Sequence, residues 1–347
     1  MKRKNYKIIL GLALFVLMLC SSSIARAQDA NLLILSDQGT RYPLGLHLEY
    51  LEDPGGTLSI EQVTQPAVSA RFTPNLAEIP NLGITNSAYW FRFPVRNHTG
   101  QESWMLAFSN ARVGLIDLYV SNADGLGWVH QQAGTYLPAA MWAYAFPHFT
   151  FPLSLKSSAE TIVYLRLESN LPIRLALTLW SSEAFEQHKQ VFYSFVGLFY
   201  GGVAIMALYN LLLFFSIRKI IYLYYFLFSL FGILNVAASD GVAPLFLYPN
   251  IALRYAIYGT ATLNVILIVL YMQDFLELKF RLPWMNRIII ALGSVQVISF
   301  VGYFFYPPVF ALGSVIVLVN AILAILASIL VWRQGLTAAR YFLLAWL

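Results

Sequence analysis

The sequence predicts a chain of two unlike halves. An all-β, jelly-roll-like sandwich of about eight or nine strands occupies residues 28–182, and an all-α polytopic bundle of membrane helices occupies 191–347. Three observations predict this. Hydrophobic residues make up 59% of the chain and charged residues only 11%, against about 25% charged in a soluble domain. Before residue 182 apolar residues alternate with period two, and after 190 they run almost unbroken. Turn clusters such as D53-P-G-G56, N97-H-T-G100 and N122-A-D-G125 punctuate the first half only.

The first 27 residues read as a secretory signal peptide. Lys2 to Lys7 form its basic n-region, Ile8 to Cys20 its apolar h-region, and Ala25-Arg26-Ala27 an A-x-A cleavage site. Cleavage would remove Cys20, the single cysteine, so the exported fold must rest on an ordinary core without disulfides. The net charge of +5 is misleading. The leader holds five basic groups and no acid, residues 28–189 hold nine basic and fourteen acidic, and residues 190–347 hold eight basic and three acidic. The positive charge therefore lies in the leader and the membrane loops. It is no sign of a nucleic-acid partner.

Each strand shows an inward set. In Y89-W-F-R-F-P-V-R-N97 it is Phe91, Phe93 and Val95, and in G114-L-I-D-L-Y-V120 it is Ile116, Leu118 and Val120. In T161-I-V-Y-L-R-L-E168 it is Val163, Leu165 and Leu167, and in I173-R-L-A-L-T-L-W180 it is Ile173, Leu175, Leu177 and Leu179. Weaker strands are expected near 32–36, 44–51, 58–63, 103–108 and 148–153. Residues 183–190 read as a juxtamembrane linker opening with a capped helical turn.

Membrane spans are predicted at 191–217, 221–238, 251–272, 288–306 and 309–332, with a sixth opening at 341. A cleaved leader puts the sandwich outside. The inner loops then hold Arg218, Lys219, Lys279, Arg281, Arg287, Arg333 and Arg340, and the outer side holds only Lys189 and Arg254, as the positive-inside rule requires. The sixth span stops a few residues after it starts. The C-terminal edge reads as the torn edge of a longer protein.

Nothing in the chain marks an enzyme or a cofactor site. There is no G-x-S-x-G, phosphate-cradling glycine loop or zincin motif. The five histidines, His47, His98, His130, His148 and His188, are scattered singly, without metal-ligand spacing. The candidate ligand face is the outward register of the strands: Trp90, Arg92, Arg96, Tyr119, Tyr164, Arg166 and Arg174. Aromatic platforms with arginine forks suit sugars and anions. The same residues also admit a purely structural reading, in which Trp90 and Tyr164 pack under a loop and the arginines solvate a sheet face. In the spans, Asn210, Asn235, Asn264, Gln296 and Asn320 are expected to hydrogen-bond between helices. No charge lies at mid-span, which argues against an ion pump or transporter. Asp240 and Arg254 can pair at the outer mouth of the second and third spans. With Asn210 they are the candidate relay residues.

The segment G197-L-F-Y-G-G-V-A-I-M-A-L-Y-N210, followed by Y222-L-Y-Y225 after a basic turn, resembles the first span and inner loop of the bacterial 7TMR-DISM family of seven-transmembrane receptors with diverse intracellular signalling modules. Asp240-Gly241, Tyr248-Pro249 and G335-L-T-A-A-R-Y-F-L-L-A-W346 add to the resemblance, although the family usually has proline near Ala338 or Ala339. The first half resembles the family's second type of extracellular domain in Y50-L-E-D-P54, Phe72-Thr73-Pro74, N86-S-A-Y-W-F-R-F93, Asp117-Leu118-Tyr119, Tyr164-Leu165-Arg166 and Leu179-Trp180. Trp90 and Arg92 fall inside these motifs. The resemblance implies an outer sandwich that binds a small ligand, with carbohydrate the class proposed for the family, and a bundle in the plasma membrane that relays the signal to an output module absent from this chain. Receptors of this kind often form homodimers. The alternative is a membrane-tethered binding protein without an output module of its own.

Overall fold

The computed structural model describes residues 31–83, 85–109, 112–121, 127–169, 172–246, 253–306 and 309–346. The predicted leader and the N122-A-D-G125 turn lie outside them. The chain forms two compact units, Met1–Lys189 and Gln190–Leu347.

The first unit is a sandwich of thirteen short strands among the described residues, more than the eight or nine expected. One sheet has the order β4 (Thr73–Pro74), β3 (Glu49–Asp53), β6 (Ala88–Asn97), β11 (Glu160–Glu168), β8 (Leu115–Ser121), β9 (Trp128–Ala133), and β1 (Leu33–Leu35) pairs parallel to β6. The other has the order β10 (Thr150–Ser154), β7 (Ser103–Phe108), β13 (Leu177–Ser181), β2 (Arg41–Pro43). A two-stranded ribbon joins β12 (Ile173–Arg174) to β5 (Asn81–Gly83). The antiparallel register sets Phe91 opposite Leu165 and Leu165 opposite Leu118, with Phe93, Val163 and Val120 in line beside them. All six are buried, as the alternation predicts. Trp104, Leu106, Phe108, Phe151 and Leu179 bury the inner face of the smaller sheet. Each such side chain contributes roughly 1.5–3 kcal/mol.

Three expected strands differ. Residues 44–51 hold a 3-10 turn, Gly45–His47, and enter β3 only at Glu49. Residues 58–63 contain a short helix, α1 (Ile60–Val63). Ser59 and Gln62 form a capping box: Ser59 Oγ accepts from the Gln62 N–H at 3.4 Å, and the Ser59 N–H donates to Gln62 Oε1 at 3.0 Å. These bonds satisfy two helix-end donors that a strand would have to pair elsewhere. A second helix, α2 (Pro66–Ser69), starts on a proline at N1. The run 173–180 keeps its predicted inward set, with Ile173, Leu175, Leu177 and Leu179 all buried, but splits between the ribbon and the smaller sheet.

Residues 183–190 are no separate linker. They are the first turns of α3 (Ser182–Ile217), one continuous helix of 36 residues. At 1.5 Å per residue it is about 54 Å long, beyond the roughly 30 Å of bilayer hydrocarbon. The polar stretch before Val191 accounts for about 13 Å of this, and the remaining ~40 Å matches a bilayer with its headgroup regions. The Ser181 hydroxyl accepts from the Ala184 N–H at its start, and Arg218 ends it in a left-handed conformation.

The second unit continues with α4 (Ile220–Ser239), α5 (Val242–Phe246), α6 (Leu253–Phe275), α7 (Leu278–Arg281), α8 (Pro283–Tyr303), α9 (Phe310–Arg333) and α10 (Ala339–Trp346). Among the described residues, four helices are long and apolar enough to cross a membrane: α3, α4, α8 and α9. The helix α6 matches the predicted span 251–272 in place, but it carries Thr260, Thr262, Asn264, Gln273 and Asp274. It is the central helix, packed against α4, α8 and α9, so polar groups on it can face protein instead of lipid. Met272, Leu276, Met285, Ile289, Ala327 and Phe342 form a shared core from α6 to α10.

Phe91 is fully buried and Ile162, three register rows away on the opposite face, is 40% exposed. Phe91→Ala should cost about 3–5 kcal/mol of stability and Ile162→Ala under about 1 kcal/mol in chemical denaturation of the purified protein.

Candidate functional site

Two rows of side chains cross the outer face of the larger sheet. The register aligns Glu49, Arg92, Tyr164, Tyr119 and His130 in one row, and Leu51, Trp90, Arg166, Asp117 and Gln132 in the next. Five of the seven ligand-face residues read from the sequence, Trp90, Arg92, Tyr119, Tyr164 and Arg166, therefore share one patch. Arg96 stands apart near the strand end, in an exposed ion pair with Glu160 at 2.6 Å.

This patch is not an open platform. Ile60, Val63 and Phe72 from the α1–α2 segment cover it, leaving Trp90 0% and Tyr164 4% exposed. Trp90 stacks on Tyr119 at 5.7 Å, and Tyr119 stacks on His130 at 4.6 Å. Burial, with the Asp117 carboxylate adding to it, raises the Tyr119 pKa and keeps its phenol neutral. The indole N–H of Trp90 has no hydrogen-bond partner. Arg92 holds the cover down. Its Nε contacts Glu49 at 2.6 Å, its Nη1 donates to Ser69 Oγ at 2.5 Å, and its guanidinium lies 4.3 Å over Phe72. Arg166 binds Glu168 at 3.0 Å and Asp117 at 3.5 Å, and donates to the carbonyl of Gly56 at 3.0 Å. Gly56 reaches that position through φ +61°, which a side chain would strain. Asp117 also accepts from Gln132 at 2.7 Å and lies 2.9 Å from His130 Nε2. The forks of Arg92, Arg96 and Arg166 are thus already occupied by this protein's own carboxylates. Arg174, the remaining arginine of the expected face, lies on the ribbon strand β12.

Two hollows are open. One, of about 380 Å³, lies along β9 beside that patch, lined by His130, Gln131, Gln132, Met141, Ala143 and Pro152. The other, of about 170 Å³, lies on the outer face of the smaller sheet and includes Arg41, Phe146, His148, Thr178, Trp180 and His188. His148 has its pKa lowered to about 4, first by burial and then by repulsion from His188. No sequence pattern links the residues of the second hollow. Its two histidines are among those that stand singly along the chain, and strand pairing plus the first turns of α3 bring them together.

In the second unit, two of the five side chains expected to bond between helices do so, Asn235 and Gln296. Asn235 of α4 donates to Thr260 of α6 at 3.1 Å, and Gln296 of α8 donates to Thr262 of α6 at 3.3 Å. Asn210 and Asn320 instead donate to Met206 and Ile316 in their own helices, at 2.9 and 3.1 Å. Asp240 ends α4, its N–H bonded to the carbonyl of Val236 at 2.8 Å. The expected pairing of Asp240 with Arg254 lies outside the described residues, because the Arg254 side chain is not among them.

A β-sandwich continued by one long helix into a multi-pass helical unit defines a membrane protein with a folded β-domain attached to its helices. Residues 45–181 match the family model 7TMR-DISM extracellular 2, and residues 192–347 match the model 7TM diverse intracellular signalling. The chain belongs to the 7TMR-DISM family, whose architecture is an extracellular sensor followed by a seven-transmembrane signalling region. No curated protein matches it significantly.

Arg92→Ala should lower stability by about 1.5–3 kcal/mol, and hydrogen exchange of amides 60–72 should quicken more than that of β11. The depressed pKa of His148 stabilises the fold fully above about pH 6.5. That stability is lost as pH falls toward 4, because the unfolded chain takes up the proton first. His148→Gln should flatten the fall in melting temperature between pH 7 and 4.5, by an amount worth about 1–2 kcal/mol after allowance for partial exposure.

Proposed function

We propose that this chain is the sensing and membrane-crossing part of a bacterial receptor in the inner membrane. The sandwich binds a small ligand on the periplasmic side, with carbohydrates the first class to test. The helices relay binding to a cytoplasmic output module by shifting between two packed arrangements. The observation that carries this reading is α3: its first turns belong to the sandwich unit, and it continues without a break to Ile217. A ligand that favours one seating of those turns has a rigid element through which to act. In this reading Trp90, Arg92, Tyr164 and Arg166 hold the cover of the larger sheet, while Tyr119 presents His130 to the hollow along β9. Asn210, Asp240 and Arg254 are the proposed relay positions.

The test is a screen of monosaccharides and small organic acids against the full chain in lipid nanodiscs. At about 100 times its Kd, a true ligand should stabilise the protein by about 2.7 kcal/mol and alter hydrogen exchange in α4 and α6. Binding with no change beyond α3 would reduce the protein to a tethered binder. The absence of any ligand would remove the sensor reading.

A further inference from the structure

The smaller sheet holds the better-built ligand site. On its outer face Arg41, Trp180 and Met105 lie in one register row, and Pro43, Thr178 and Ala107 in the next. The first turns of α3 lie over these rows. Phe185 is fully buried, its ring 5.4 Å from Phe146 and 5.8 Å from Tyr144. One turn on, His188 stacks on Trp180 at 4.8 Å. Ser182 donates to the Ser103 carbonyl at 2.9 Å and ties the start of the helix to the sheet. The hollow of about 170 Å³ between helix and sheet is on the scale of the ~150 Å³ cavity that accepts a single six-membered ring.

Its charges are one-sided. No aspartate or glutamate lines it. Arg41 makes no ion pair among the described residues, whereas Arg92, Arg96 and Arg166 are all neutralised by carboxylates. The Arg41 guanidinium lies 4.9 Å over the Trp180 ring, oriented by it and free to fork onto a guest. Thr178 adds a hydroxyl, and Trp180 with Phe146 adds aromatic walls. A burial-neutralised His148 leaves Arg41 as the wall's one permanent charge. That balance fits a monoanion better than a phosphate dianion.

Taking the sandwich as a ligand sensor, we propose that this hollow binds a small organic carboxylate on a single ring, such as a sugar acid, between Arg41 of the sheet and His188 of the membrane-entering helix. Arg41 forks onto the carboxylate, the ring lies along the Trp180 and Phe146 walls, and His188 contributes a hydrogen bond. The guest thereby bridges a fixed sheet and the helix that leads to the bundle.

The test uses the full chain in nanodiscs and four probes: D-glucuronate and benzoate, their neutral counterparts D-glucose and benzamide, with inorganic phosphate as a fifth arm. Saturation-transfer NMR and calorimetry should show at least one carboxylate binding, about tenfold or more tighter than its neutral counterpart and than phosphate. Arg41→Gln should weaken it about tenfold, and His188→Phe, which keeps the stack on Trp180, about threefold. Equal binding of neutral and charged probes, preference for phosphate, or indifference to Arg41→Gln would overturn the proposal. Glucose binding that ignores Arg41 would do so while leaving a carbohydrate sensor standing. If neither carboxylate binds, the site is refuted, and the sensor reading is then judged by its own screen.

Discussion

The antiparallel pairing of β6 with β11 is the constraint on which the first half of the molecule depends. It sets Phe91 against Leu165 and Trp90 against Arg166, so that one face of the sheet is apolar and the other mixed. A slip of β6 by one residue would send Phe91 and Phe93 into the cover and Arg92 into the core, and a slip of β11 would do the same to Val163 and Arg166. Burying those guanidiniums without their carboxylates would cost several kcal/mol each. The register is therefore strongly specified. It also fixes the rows on which the outer-face contacts of the larger sheet are built.

The two outer faces then diverge because their charges are treated differently. On the larger sheet, Glu49, Asp117, Glu160 and Glu168 meet Arg92, Arg166 and Arg96, and a short helical cover seals the aromatic residues between them. Charge satisfaction there stabilises structure. On the smaller sheet, the lining of the hollow contains no acid and Arg41 is left for an external anion. A face with paired charges and a face with an unpaired one are different chemical objects, although each carries arginines beside aromatics.

The membrane half follows another logic. Lipid offers no hydrogen bonds, so polar side chains in the helices bond either across to a neighbouring helix or back to a carbonyl of their own. Asn235 with Thr260 and Gln296 with Thr262 both end on α6, the helix packed against most of its neighbours. Such bonds fix helix register at a modest energy each. Modest bonds suit a unit proposed to alternate between two arrangements, because either arrangement must remain accessible. Gly313 contributes by leaving room for the Tyr258 ring against α9.

The sequence by itself determined the division into sandwich and membrane helices, the inward set of each long strand and the family, because periodicity and hydropathy are local quantities that a linear reading can see. It also indicated that Trp90, Arg92, Tyr119, Tyr164 and Arg166 share a sheet face. Only the tertiary structure decided what that face does: Phe72 and Ser69 come from a segment distant in sequence to cover it and occupy Arg92. The capping box that turned 58–63 from strand to helix was legible in Ser59 and Gln62, but alternation outweighed it. The hollow holding Arg41, His148, Trp180 and His188 had no linear signature at all. Those residues come from four separate stretches, and strand pairing with the seating of Phe185 alone brings them within reach of one guest.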